Sequence, residues 1–305
     1  MRKQTNDLLD AIGNTPMVKV PFDTKAKIFA KLEYLNPGGS VKDRPALFMV
    51  EEAERKGLLK PGGTIIEASS GNQGIALAMI GAVKGYKVII AASDKVSEEK
   101  IKTLRAYGAE VMICDSSIPL HDPKNYHNVP ENMAKNIPNS FVPNQYYNLS
   151  NPKSYYFSLG PEIWKQTKGK ITHLFAPAGT GGTVSGTGKF LKEQNPKIKI
   201  IAVDVNNSSH STKGNPKTYK LEGIGIDFET PVLDESVIDE FLPVSDEQSF
   251  TMLKKMASQY GLLLGGSGGS IAYAVKNYAK KLKKGDVAVM ILSDSGRAYL
   301  SKNYF

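Results

Sequence analysis

The stretch Ile171–Val184, ITHLFAPAGTGGTV, runs from a strand-like apolar segment into a turn of glycines and threonines and then into a helical pattern. A strand, a tight turn and a helix make one unit of a parallel sheet, because a parallel neighbour is reached only through a crossover. The unit recurs outward in both directions. Strand-like runs at Ile28–Leu32, Thr64–Glu67, Val88–Ala92, Glu110–Cys114, His173–Ala176, Lys199–Val203 and Val287–Leu292 alternate with helical patterns. The helical patterns lie near Pro45–Lys56, Gly74–Lys84, Glu98–Tyr107, Lys153–Gln166, Val184–Glu193, Glu247–Tyr260 and Ser270–Lys281. This alternation predicts an α/β fold with helices on both faces of parallel sheets. Ser116–Asn151, rich in Pro, Asn and Tyr, reads as an irregular connection. A length of 305 residues suits two doubly wound α/β lobes with a cleft between them. Ligands of such folds sit at the carboxyl ends of the strands.

Composition narrows the function. The single cysteine, Cys114, allows no intramolecular disulfide and no cysteine-based zinc or iron–sulfur site, which suits a reducing, cytoplasmic setting. No run approaches the roughly 18–20 uncharged apolar residues of a membrane span, and MRKQTNDLLDAIGNTP lacks the apolar core of a signal peptide. Lys and Arg number 39 against 30 Asp and Glu, a net charge of +9. The lysines are spread along the chain and are densest in KNYAKKLKK, 276–284. That run has helical spacing and reads as a solvated face, with Ile271, Ala274, Val275, Tyr278 and Leu282 turned inward. No nucleic-acid partner is expected; an anionic small ligand uses the charge at least as well. His121, His127, His173 and His210 show no ligand spacing, so no metal is expected.

Three strand-to-helix junctions carry glycine with small hydroxyl residues: Ser69-Ser70-Gly71-Asn72-Gln73-Gly74, Gly179-Thr180-Gly181-Gly182-Thr183 and Gly265-Gly266-Ser267-Gly268-Gly269-Ser270. Glycine lets backbone approach a ligand, and a helix N-terminus offers unpaired N–H groups to an anion. The middle junction has the form of a phosphate cradle; a plain tight turn is the competing reading. The P-loop pattern is absent, since Thr183 and Phe190 occupy two of its fixed positions, and no G-x-G-x-x-G follows Gly179 or Gly223. Neither ATP nor NAD is supported.

Asn36-Pro37-Gly38-Gly39-Ser40-Val41-Lys42-Asp43-Arg44-Pro45 adds a nucleophile. The Pro-Gly-Gly turn and Ser40 start a helix, and Lys42 falls in its first turn. A cation is misplaced there, and the resulting depression of its pKa is what an imine-forming lysine needs. The alternative is a surface lysine paired with Asp43. A reactive lysine beside a phosphate cradle points to pyridoxal phosphate, a conclusion that spacing alone leaves open.

With these motifs in view, the chain resembles the cysteine synthase and cystathionine beta-synthase family of pyridoxal-phosphate enzymes, with the fold type II architecture of tryptophan synthase beta. The resemblance extends from Ile12-Gly13-Asn14-Thr15-Pro16 to Asp294-Ser295-Gly296-Arg297-Ala298-Tyr299-Leu300. It implies a large cofactor-binding lobe of residues 1–41 plus 150–305 and a small mobile lobe of residues 42–149. By this resemblance Lys42 would carry pyridoxal phosphate as an imine and shuttle the α-proton, and Asn72 would bond the ring hydroxyl. Gly179, Thr180, Gly181, Gly182 and Thr183 would hold the phosphate, and Ser295 would face the pyridine nitrogen. Ser69, Ser70, Gly71 and Gln145 would hold the substrate carboxylate.

The implied reaction is β-replacement on serine or an activated serine through an aminoacrylate, with a thiol or sulfide as acceptor. Leu221-Glu222-Gly223-Ile224-Gly225-Ile226-Asp227-Phe228 and Gln145-Tyr146 resemble the cystathionine beta-synthase branch, placing Gly223, Tyr146 and Asp227 at the substrate. Gln73, in the loop that would hold the substrate carboxylate, departs from that branch, where threonine is usual, and would alter donor choice or the bound orientation. Cysteine synthase, which uses O-acetylserine and sulfide, a hydrogen-sulfide-producing branch that uses cysteine, and diaminopropionate synthase remain open. Asp227 would act as a general base in the cysteine-using case, or simply cap its loop. The haem segment and regulatory pair of some relatives have no counterpart in these residues, so neither haem nor an adenosyl ligand is expected. A homodimer is the family expectation.

Overall fold

The computed structural model describes residues 7–69, 71–119 and 122–305. Its strands are β1 (Met17–Lys19), β2 (Lys27–Leu32), β3 (Thr64–Ala68), β4 (Lys87–Ser93), β5 (Glu110–Cys114), β6 (Ser140–Phe141), β7 (His173–Pro177), β8 (Lys199–Val205), β9 (Glu240–Val244) and β10 (Val287–Leu292). Its α-helices are α1 (Asp43–Arg55), α2 (Asn72–Lys84), α3 (Glu98–Ala106), α4 (Val129–Ala134), α5 (Ser150–Phe157), α6 (Leu159–Gln166), α7 (Gly182–Gln194), α8 (Asp246–Tyr260) and α9 (Gly266–Tyr278).

The strands form two sheets. The larger has the order β1-β2-β10-β7-β8-β9, parallel except for β1, and the smaller has the order β5-β4-β3-β6, parallel throughout. Central strands are continuous apolar runs because both faces are covered. Every residue of β10, VAVMIL, is buried. Alternation divides the larger sheet's core: Phe175, Ile201, Val203, Met290 and Leu292 face α8 and α9. Leu174, Ile200, Ala202, Val289 and Ile291 face α5, α6 and α7 on the other side. A separate core, around Ile65, Leu77, Ile80, Ile90 and Leu104, fills the smaller sheet and its helices.

Seven strand readings coincide with observed strands, and the structure adds β1, β6 and β9. The helical pattern over Lys153–Gln166 is two helices, broken at Ser158. Pro161 accounts for the break, since it has no N–H to give the carbonyl four residues back. Among its described residues, the irregular stretch Ser116–Asn151 contains the short helix α4 and the two-residue strand β6, and it runs into the start of α5.

Candidate active site

The carboxyl ends of strands from both sheets converge on one cavity of about 730 Å³. Ala68 and Ser69 at the end of β3, Pro177 and Gly179 at the end of β7, and Ser293 and Asp294 just after β10 line it. This is where open parallel sheets place ligands.

Lys42 lines the cavity one residue ahead of α1. Backbone pairing fixes it there: Ser40 bridges to Asp294, Val41 N donates to the Ser293 carbonyl at 2.8 Å, and Ser40 Oγ accepts from Lys42 N at 3.1 Å. Burial pushes the amine down to about 8. Asp43 is not its partner; Asp43 Oδ2 accepts from Gly38 N at 2.6 Å, and burial raises that carboxyl to about 7. The start of α1 is pinned from behind by buried charge. Arg44 pairs with Glu33 and Glu162, each at 2.7 Å, and Glu162 also takes Lys31 at 2.6 Å. Burial alone would raise Glu162, but Arg44 and Lys31 hold it at about 2. Thr15 and Gly13 of the Ile12–Pro16 motif bond Glu33 and Asn36, so that motif buttresses the lysine turn.

The middle glycine junction joins β7 to α7. Gly179, Thr180, Gly181 and Thr183 line the cavity; Gly182 stands behind them and donates its N–H to Thr180 Oγ1 at 3.3 Å. Gly181 has φ +88°, and a Cβ there would lie 2.6 Å from Leu233 Cβ. A Cβ on Gly179 would lie 2.9 Å from the Gly223 carbonyl oxygen. Side chains are excluded on steric grounds, leaving backbone N–H groups and two threonine hydroxyls at a helix N-terminus, the donor set a phosphate requires. A partly buried lysine on the same cavity supplies the amine an aldehyde requires. These residues fit pyridoxal phosphate.

The first junction caps α2. Ser69 Oγ accepts from Gly71 N at 3.3 Å and from Gly74 N at 3.0 Å, leaving its hydrogen to donate. Asn72 lines the cavity, and its Nδ2 donates to Asp294 Oδ2 at 2.7 Å. Gln73 also lines it; this side chain is buried and neither amide atom has a partner. Ser70 lies outside the described residues, as does His121. Gln145, Tyr146 and Gly223 line the cavity. So does Asp227, which accepts a hydrogen bond from Tyr219 Oη and shares a neighbouring space of about 310 Å³ with His127 and Phe228. Beneath the loop after β3 lies Glu67, whose Oε1 accepts from Ala68 N at 3.0 Å. Burial raises this carboxyl to about 8.

Ser295 does not line the cavity. Its Oγ donates to the Leu263 carbonyl at 3.4 Å and accepts from Arg297 N at 3.3 Å, capping the short 3-10 helix Gly296–Tyr299. Hydroxyls that do line it include Ser293, two residues earlier, and Ser267, in the first turn of α9. Ser267 belongs to the third glycine junction, so its signal was present in the sequence. Sequence reasoning also missed Lys100, on α3, whose Nζ pairs with Glu222 Oε2 at 2.6 Å and lies 4.1 Å from the centre of the Tyr299 ring. Among the described residues, no three His, Cys, Asp or Glu side chains cluster as metal ligands. No helix among them is long and apolar enough to cross a membrane.

Comparison with known proteins follows the same lines. The family model for pyridoxal-phosphate dependent enzymes matches residues 8–294. A cystathionine beta-synthase from Apis mellifera is 47% identical over 97% of the chain and 60% of its own length. The chain thus spans about three fifths of that relative. A solved hydrogen sulfide-producing enzyme from Fusobacterium nucleatum superposes with TM-score 0.92 at 40% identity, covering 98% of this chain and 99% of that one. A solved O-acetylserine dependent cystathionine beta-synthase from Helicobacter pylori gives TM-score 0.92 at 36% identity, covering 100% of both chains.

Proposed function

The chain belongs to the pyridoxal-phosphate dependent enzymes, and from that membership we propose that it catalyses cystathionine beta-synthase-like β-replacement on serine or an activated serine, with a thiol or sulfide as acceptor. The observation that carries the reading is a lysine with a depressed pKa on the same cavity as a phosphate cradle whose Gly179 and Gly181 leave no room for a Cβ. Lys42 would hold the cofactor's aldehyde, Gly179–Thr183 its phosphate, Asn72 its ring hydroxyl and Ser295, which follows the cavity-lining Asp294, its pyridine nitrogen. When bound, the group supplies an electron sink for the bond broken at the substrate's α-carbon.

The chain's own residues supply the rest. Ser69 and Gly71 at the α2 N-terminus, with Gln145, hold the donor's carboxylate. Lys42, displaced by the donor and poised near neutrality by burial, takes the α-proton and later returns it. Tyr126, Tyr146 and Tyr304 wall the cavity and limit water. Residues 42–149 act as the smaller lobe, closing on residues 1–41 and 150–305. We place the enzyme in the cytoplasm as a homodimer; exposed Phe157, stacked on Phe48, offers an apolar contact at 64% exposure.

A second reading, cysteine as donor with release of sulfide, is favoured by the likeness to the hydrogen sulfide-producing enzyme. Asp227 would then activate the incoming water or thiol. The deciding experiment crosses serine, O-acetylserine, O-phosphoserine and cysteine with sulfide, homocysteine, cysteine and water, identifying products by mass. Activity confined to O-acetylserine with sulfide would overturn the cystathionine-type assignment. Lys42→Ala is expected to lose the absorbance of a borohydride-reducible imine, and at least about 10³-fold of turnover. A variant that keeps both refutes the role of Lys42.

A further inference from the structure

Asn151 lies at the start of α5 and has no exposed surface. Its Nδ2 donates to the Gln145 carbonyl at 2.7 Å and to Thr180 Oγ1 at 3.3 Å. One amide therefore touches both the turn that carries Gln145 and the phosphate cradle. Its orientation is dictated by chemistry: a carbonyl only accepts, so nitrogen must face Gln145, and both of its hydrogens are then used. Thr180 Oγ1 accepts a second N–H, from Gly182 at 3.3 Å. With both lone pairs taken by donors, the threonine hydrogen has to point elsewhere, and Thr180 lines the cavity. Asn151 Oδ1 has no partner and faces Gly182, where a Cβ would lie 2.2 Å away. One turn along, Tyr155 Oη donates to the Val41 carbonyl at 3.4 Å, beside Lys42.

We propose that Asn151 is a positioning residue that orients the Thr180 hydroxyl as a donor to the cofactor's phosphate and anchors the Gln145 turn against the same loop. This rests on the reading of Gly179–Thr183 as the phosphate site. Cofactor-free wild type, Asn151→Ala, Thr180→Val and the double variant are titrated with pyridoxal phosphate and with pyridoxal, following imine absorbance with no turnover. Each single variant is expected to weaken pyridoxal phosphate about 10-fold while changing pyridoxal less than about 3-fold. In the double variant, Asn151→Ala should add almost nothing to Thr180→Val, because the two act through one hydroxyl. With cofactor saturating, Asn151→Ala should raise the donor KM about 10-fold and Thr180→Val should leave it within about 2-fold.

Equal losses for the two aldehydes, or losses that add in the double variant, would overturn the Thr180 role. A donor KM unchanged by Asn151→Ala would overturn the anchoring of Gln145. Should Asn151→Ala fail to fold, the contrast between the two aldehydes in Thr180→Val still decides whether that hydroxyl serves the phosphate. Wild type that takes up neither aldehyde refutes the cofactor reading itself, and with it this one.

Discussion

Glu67 is a carboxyl group held where water does not reach it, and its consequence is a pH dependence. Burial raises it to about 8, so the folded chain keeps a proton that the unfolded chain releases near its ordinary 4.5. Where the native state binds more protons, stability falls as pH rises. The contribution is whole below pH 4.5 and is lost as pH climbs through about 8. Glu67→Gln should match wild type in acid and exceed it at pH 8 by roughly 4 kcal/mol in denaturant titrations. Lys42 runs the other way: pushed down to about 8, its amine in cofactor-free protein should react with an aldehyde reagent with a midpoint near pH 8. An amine midpoint near 10.5 would refute its burial. These two residues also mark what was legible. Lys42, Asn72, Gln145 and the cradle glycines sit in short segments whose chemistry is local, and all of them line or border the cavity. Ser267 and Asn151 were given no role of their own and Lys100 went unnamed, because which hydroxyl, ammonium or amide reaches the cavity depends on packing between distant segments.

Among the elements, the loop between β7 and α7 has the least freedom. Gly181→Ala would place a Cβ against Leu233 at a positive φ, and should cost roughly 2–3 kcal/mol and weaken cofactor binding at least about 10-fold. A calorimetric scan and a pyridoxal phosphate titration check this together. The α8 start makes the contrast: Ser245 and Gln248 form a reciprocal capping box, so Ser245→Ala should cost about 1 kcal/mol and leave cofactor affinity alone. The longer strands and helices were readable because burial on both faces writes continuous apolar runs. β9 was not, since EFLPV carries a charge and a proline, tolerated because this strand pairs on one side only. β1 and β6, with three and two residues, are too short to leave a periodicity.

At the scale of the whole molecule, the C-terminal segment ties the smaller sheet's helices to the rest. Ser97 Oγ donates to the Ala298 carbonyl at 2.9 Å, Ser301 meets both oxygens of Glu99, and Lys302 Nζ donates to the Lys95 carbonyl at 2.7 Å. Glu99→Ala should raise amide exchange in residues 296–304 about 10-fold without changing cofactor content, as expected of a low-stability unit. Unchanged exchange would show that the remaining contacts suffice. The two sheets draw their strands from different stretches, 64–141 for the smaller and the flanking 17–32 and 173–292 for the larger. Within the larger sheet, β10 lies between β2 and β7, although it is the last strand made. During synthesis β2 therefore emerges with only antiparallel β1 beside it and waits through more than two hundred further residues for its parallel neighbour. At about 5–20 residues per second that delay lasts roughly 10–50 s, long enough for an exposed strand edge to need protection, while the smaller sheet already has all its strands.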